Sequence, residues 1–207
     1  MSELIPKIGI VYATGLEKKL LGVSANENVA LMVTGMRKAP ARAGVEHLLQ
    51  SYGSIQDVVN VGLTGSLYKD EFPPGEVVLA SSVQAHDDDS EEPIKLEDSL
   101  DILGSIDVKT ARVLSGDQFI TGKTSIEKLA RLKASGDVID MEAFAIAQTC
   151  LEHNVTPHVL KLVSDTIIEG RSGIYQILGL PKTFFTKKNM HPVLENVLRE
   201  IQEFRGD

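Results

Sequence analysis

Seven short runs rich in Val, Ile and Leu punctuate the chain: KIGIVY (7–12), VALMVT (29–34), DVVNVG (57–62), EVVLASSV (76–83), ARVLSG (111–116), DVIDM (137–141) and HVLKLVS (158–164). Several lack the polar alternation of a half-exposed strand, which predicts strands covered on both faces. Between them the period turns helical. Residues 36–52 predict a helix that tolerates Pro40 only in its first turn. TSIEKLARLK (124–133) opens on a Thr124/Ser125 cap signal and places Ile126, Leu129 and Leu132 at helical spacing. Residues 141–152 are apolar nearly all round and predict a buried helix. A last helix, 190–204, aligns Leu194, Val197, Leu198, Ile201 and Phe204 as one stripe. Strands alternating with helices predict an α/β sheet with right-handed crossovers, and 207 residues suit one domain, 1–207.

Composition narrows the class of function. The chain is 43% apolar and 24% charged, enough for a core without staples. Its single cysteine, Cys150, excludes a disulfide framework or multi-cysteine metal site and fits a reducing compartment. The N-terminus lacks the pattern of a signal peptide, and no apolar stretch approaches the ~20 residues of a membrane span. A net charge of -8 argues against nucleic acid. The absence of tryptophan argues against a carbohydrate groove paved with aromatic rings. A small-molecule enzyme of the cytoplasm is the expectation. The segment 86–100, HDDDSEEPIKLEDSL, is the expected irregular stretch. Its His86-Asp87-Asp88-Asp89 run could hold a hard cation, but contiguous acids rarely all point inward, so a solvated loop is expected.

Open α/β sheets place ligands beyond the C-terminal ends of their strands. Four such ends carry polar residues. Gly62-Leu63-Thr64-Gly65-Ser66 predicts a glycine turn that lets backbone approach a ligand. Ser115-Gly116-Asp117-Gln118-Phe119 adds an aromatic face. Asp140-Met141-Glu142 opens the most apolar helix, and Ser164-Asp165-Thr166 ends the last strand. Gly122-Lys123-Thr124 imitates a phosphate loop, but five residues lie between Gly116 and Gly122 where the motif has four.

In this order the motifs resemble the purine nucleoside phosphorylase/nucleosidase superfamily, and within it the methylthioadenosine/S-adenosylhomocysteine nucleosidases. The resemblance runs from about Lys7 to Asp165: KIGIVYATGLEKK, VVNVGLTGSL, PGEVVLASSVQAHDDD, VLSGDQFITG, DVIDMEAFAIAQTC and LKLVSDT each fall on a family segment. Residues 166–190 match none. The resemblance implies a mixed, twisted central sheet flanked by helices, a homodimer, and hydrolysis of a purine nucleoside without metal or organic cofactor. It puts Glu17 on the carboxylate that activates water and Asp165 on the acid facing N7 of the leaving purine. Met141 and Glu142 fall on the ribose pair, Phe119 on the ring that stacks against the base, and Ile120 on the residue offering it backbone hydrogen bonds. Thr64, Gly65 and Ser164 complete the expected substrate contacts.

The sequence departs from the family at Leu63, where a serine is usual and whose hydroxyl contact is lost or passes to Thr64. Lys161 stands for an arginine, and the aromatic residues expected soon after His86-Asp87 are missing. Arg37 and Arg42 leave a phosphate site conceivable, although solvent-facing helix charges explain them too. A phosphorylase, a hydrolase of a modified nucleoside such as futalosine, and a non-catalytic nucleoside-binding module are the alternatives.

Overall fold

A computed structural model describes residues 6–167 and 187–206. Eight strands, β1 (Ile8–Tyr12), β2 (Val29–Val33), β3 (Asp57–Ser66), β4 (Val77–Ala85), β5 (Ile94–Lys95), β6 (Lys109–Ser115), β7 (Val138–Asp140) and β8 (Thr156–Thr166), form one mixed sheet. Around it lie α1 (Gly15–Leu21), α2 (Lys38–Ser51), α3 (Glu97–Leu103), α4 (Ile126–Ser135), α5 (Ala143–Glu152) and α6 (Lys187–Arg205). β1 pairs in parallel with β2 and β3, and β3 runs parallel to β8. β8 meets β4 antiparallel, β4 and β6 are parallel, β6 and β7 are parallel, and β7 returns antiparallel to the end of β3. The pairings from β3 through β8, β4, β6 and β7 therefore close on themselves.

The apolar runs become strands because both faces are covered, as expected. On one face Ile10, Val59, Val61, Leu160 and Leu162 pack against Met190, Leu194, Val197 and Ile201 of α6. On the other, Val11 and Val58 meet Ala41, Val45 and Leu48 of α2 and Ile146 and Cys150 of α5. The α6 stripe differs from its expected form at one end. Phe204 is 61% exposed, because the sheet ends beneath it; Met190 takes up the fourth buried position instead.

Three elements correct the sequence reading. β3 continues four residues past its apolar run, through Gly62 and Gly65, so the expected glycine turn is strand, with a register shift against β8 between Thr64 and Gly65. Glu17 itself lies within helix α1, an element the sequence reading did not place. Within the expected irregular stretch 86–100, residues 94–95 add a short edge strand, and α3 begins at Glu97 and runs on to Leu103, burying Ser99, Ile102 and Leu103.

At the edge of the sheet opposite those polar strand ends, a buried cluster fastens α3 and α6. His158 Nε2 lies 3.0 Å from Asp57 Oδ1 and Nδ1 2.9 Å from Ser99 Oγ. Arg205 donates to both Asp57 oxygens, at 2.8 and 3.0 Å. Serine, histidine and aspartate in this order resemble a hydrolytic triad, but none is more than 1% exposed, so no substrate reaches them. Burial would raise the Asp57 carboxyl, yet the His158 and Arg205 bonds outweigh it and hold the group below its ordinary value. Asp57→Asn should therefore cost about 3 kcal/mol at pH 7, measured by denaturant unfolding. The penalty should narrow as pH falls below about 4, where Asp57 of the unfolded chain takes a proton that the folded carboxylate, held lower, gains only at still lower pH. Equal stability at pH 7 would reject the clamp.

Candidate active site

Glu17 is placed by the start of its helix. Thr14 caps α1, and Glu17, three residues on, closes a capping box: its N–H donates to Thr14 Oγ1 at 3.1 Å while Oε2 accepts from the Thr14 N–H at 2.9 Å and hydroxyl at 3.1 Å. Oε1 accepts from the Leu63 N–H of β3 at 2.9 Å. A carboxylate has about four lone-pair sites, so three bonds fix the group and leave Oε1 one acceptor site. Gly62 makes the approach possible. A Cβ there would sit 3.0 Å from Glu17 Oε1 and 3.2 Å from Lys161 Nζ.

Beside it stands a buried hub. Asp140, the last residue of β7, accepts from Lys161 Nζ at 2.6 Å, from the Ser115 hydroxyl, and from the N–H groups of Glu142 and Ala143 at 3.3 and 3.1 Å. It thereby satisfies the first donors of α5, which is why that helix starts at 143 and not at the predicted 141. Lys161 is 1% exposed. Burial alone would favour its neutral form, but Asp140 and then Glu142 more than compensate, so its pKa rises and it stays a cation. Glu142, the N-cap residue, is 6% exposed. Burial first, then the Asp140 charge, push its carboxyl up to about 7, against the opposing effects of Lys161 and of the Arg37 N–H.

At the end of β8, Ser164 Oγ lies 2.6 Å from Asp165 Oδ1 and 3.1 Å from the Thr64 carbonyl. Burial raises the Asp165 carboxyl, with Ser164 only partly opposing it. A cavity of about 630 Å³ takes in Glu17, Thr64, Gly65, Phe119, Ile120, Met141, Glu142, Ser164 and Asp165 together. Every site residue singled out in the sequence thus lines one space. Phe119 is 54% exposed and offers its ring at the mouth.

Several particulars differ from the sequence reading. The Thr64 hydroxyl donates to the Ile139 carbonyl at 2.8 Å, so its proton is engaged in holding β3 to β7 and is not offered to a ligand. Asp87 stands in the exposed run, but its side chain turns inward, binding Lys38 Nζ at 2.6 Å and the Asp117 N–H at 2.8 Å. Among the described residues no group of three or more His, Cys, Asp or Glu is placed to hold a metal. Arg42 points away, to Glu46 and Glu152, as a solvent-facing helix charge. The reading missed the hub role of Asp140 and the wall residues Leu16, Leu20 and Met36. Thr14-x-x-Glu17 is a readable capping box and would have revealed α1.

Residues 89–173 match the family model described as the phosphorylase superfamily. Across the sheet and its helices, the chain superimposes on Helicobacter pylori 5′-methylthioadenosine/S-adenosylhomocysteine nucleosidase with a TM-score of 0.75 at 21% identity, covering 96% of this chain and 99% of that one. The chain has the fold of that nucleosidase. Futalosine hydrolase of the same organism shares it at a TM-score of 0.73 and 20% identity, over 98% and 100% of the two chains. In sequence, the 5′-methylthioadenosine/S-adenosylhomocysteine nucleosidase of Staphylococcus aureus strain JH9 is 24% identical over 164 residues, 70% of this chain and 71% of that protein.

The raised Glu142 carboxyl makes a stability prediction. A group that binds its proton more tightly when folded stabilises fully below its unfolded value of 4.5, and that contribution is lost as pH rises through about 7. Glu142→Gln lacks this titration. Its stability relative to wild type should therefore improve from pH 4.5 to 7, by on the order of 1–3 kcal/mol, read from paired unfolding curves. A difference independent of pH would show that Glu142 does not titrate in this range.

Proposed function

We propose that this chain is a purine nucleoside N-ribosyl hydrolase of the methylthioadenosine/S-adenosylhomocysteine nucleosidase type. The observation that carries the reading is the convergence of Glu17, Glu142 and Asp165, distant in sequence, on one cavity. Breaking the bond between C1′ and the purine nitrogen leaves cationic character on the sugar and negative charge on the base. The Glu142 carboxylate faces the ribose hydroxyls and favours the first. Asp165, whose burial favours the protonated acid, donates to N7 and relieves the second. Water attacks C1′ and loses its proton to the remaining acceptor site on Glu17. The ribosyl product gains the hydroxyl and the base leaves neutral. Carboxylates and water suffice, so no metal or organic cofactor is invoked.

The choice of water over phosphate is supported by charge. No lysine or arginine is among the described lining residues, Lys161 is held by Asp140, and Arg42 is on the surface. Leu16, Leu20, Met36 and Leu63 give the cavity an apolar wall, which suits an uncharged 5′-substituent such as alkylthio. A homodimer in the cytoplasm completes the proposal: Leu16 and Met36, 62% and 59% exposed at the mouth, are apolar surface that a second copy would cover.

The test is product analysis. Methylthioadenosine should release adenine in phosphate-free buffer; strict dependence on phosphate would make the protein a phosphorylase, and stabilisation by adenosine without turnover a binding module. Asp165→Asn and Glu17→Gln should each lower kcat by a hundredfold or more with little change in folding. A near-wild-type rate in either would remove that residue from its role.

A further inference from the structure

The loop between β2 and α2 is bent in a way that its residues do not favour. Arg37 sits at φ 77° and ψ 166°, a region occupied freely only by glycine. Gly35, two residues earlier, has φ 103°. Among the described residues the only other non-glycine with positive φ is Asn154, at 57°, an ordinary left-handed position for asparagine after a helix. The strained conformation at Arg37 aims its N–H at Glu142 Oε1, 2.8 Å away.

Strain of this kind persists only where neighbouring contacts over-determine it. Here those contacts form a circuit. The Lys38 N–H donates to Asp117 Oδ1 at 2.9 Å, the Asp117 N–H donates to Asp87 Oδ2 at 2.8 Å, and Lys38 Nζ returns to Asp87 Oδ1 at 2.6 Å. On the other side the Gly35 N–H donates to the Ala13 carbonyl at 3.1 Å. The circuit also fixes the strand-end segment that leads to Phe119.

We propose that Asp87, Lys38 and Asp117 are a latch that holds the strained Arg37 backbone against Glu142, which makes Arg37 a positioning residue for the ribose carboxylate. Glu142 is faced by Asp140 from β7, Glu17 from α1 and Lys161 from β8. Two negative neighbours against one positive disfavour a third carboxylate. A backbone N–H steadies the ionised form and fixes its direction without adding a charge that would compete for the ribosyl cation. The latch rests on the reading of Glu142 given above, so its test has parts that need no substrate.

In the ligand-free protein, Arg37→Gly should raise Tm by about 2–4 °C, because glycine takes this conformation without strain, whereas Arg37→Ala should not. The residue-37 amide should be protected from hydrogen exchange in the wild type, exposed in Asp87→Ala, and protected again in the D87A/R37G double variant. With methylthioadenosine, Asp87→Ala should lower kcat about tenfold at neutral pH and move the acid limb of kcat/KM upward by about one pH unit, since a carboxylate that loses a donor holds its proton more tightly. Adding R37G should restore both. A Tm loss in R37G, an unprotected wild-type amide, an unmoved limb in D87A, or no rescue would each overturn the proposal. A wild type that cleaves no purine nucleoside would overturn the enzymatic reading, and the Tm and exchange measurements would still decide the latch.

Discussion

The pairing of Lys161 with Asp140 is the interaction on which the arrangement of the site depends. Removing two charges from water is costly unless their remaining hydrogen-bond capacity is filled. Asp140 meets that condition by also receiving the Ser115 hydroxyl and the first N–H groups of α5. One carboxylate therefore joins β6, β7, β8 and the start of the most apolar helix. Glu142 follows from it by geometry, since it is the residue at which that helix begins. Lysine, a compact cation on a flexible stem, reaches this buried position without needing partners for the five donors of a guanidinium.

The two edges of the sheet use acids differently. At the C-terminal ends of β1, β3, β7 and β8, carboxylates line a cavity, and burial raises the carboxyls of Glu142 and Asp165. At the opposite edge Asp57 is sealed between His158 and Arg205 and its carboxyl is lowered. The difference lies in the partners. Asp57 is closed off from solvent and held by two cation-forming partners, while the carboxylates at the cavity keep lone pairs or a proton for a ligand.

Much of this was legible in the residues. Buried parallel strands declare themselves as continuous Val and Ile runs, so the α/β class and the strand positions were readable, and α5 declared its burial by being apolar on every side. Six ordered motifs located Glu17, Glu142 and Asp165. What escaped is set by tertiary contact. Whether Gly62 and Gly65 turn or continue as strand is decided by the β8 and β7 partners beside them. Whether the Thr64 hydroxyl is free is decided by the Ile139 carbonyl. Asp87 looks like its neighbours Asp88 and Asp89, and only the fold brings Lys38 and Asp117 to it. Phe204 satisfies the helical period of α6 but lies past the end of the surface that the helix covers. Arg37 gave no signal at all, because strain resides in dihedral angles and any residue can occupy that position in a sequence.

The circuit of strand pairings has a consequence for how the molecule behaves in a crowded solution. A strand with one side unpaired is a template for intermolecular addition. Because β3, β8, β4, β6 and β7 close on themselves, the described sheet ends only at β2, five residues long, and at the two-residue β5. Closure thus leaves this largely Val- and Ile-built sheet with little exposed backbone through which copies could fuse strand to strand, although single runs of its sequence would otherwise be prone to do so.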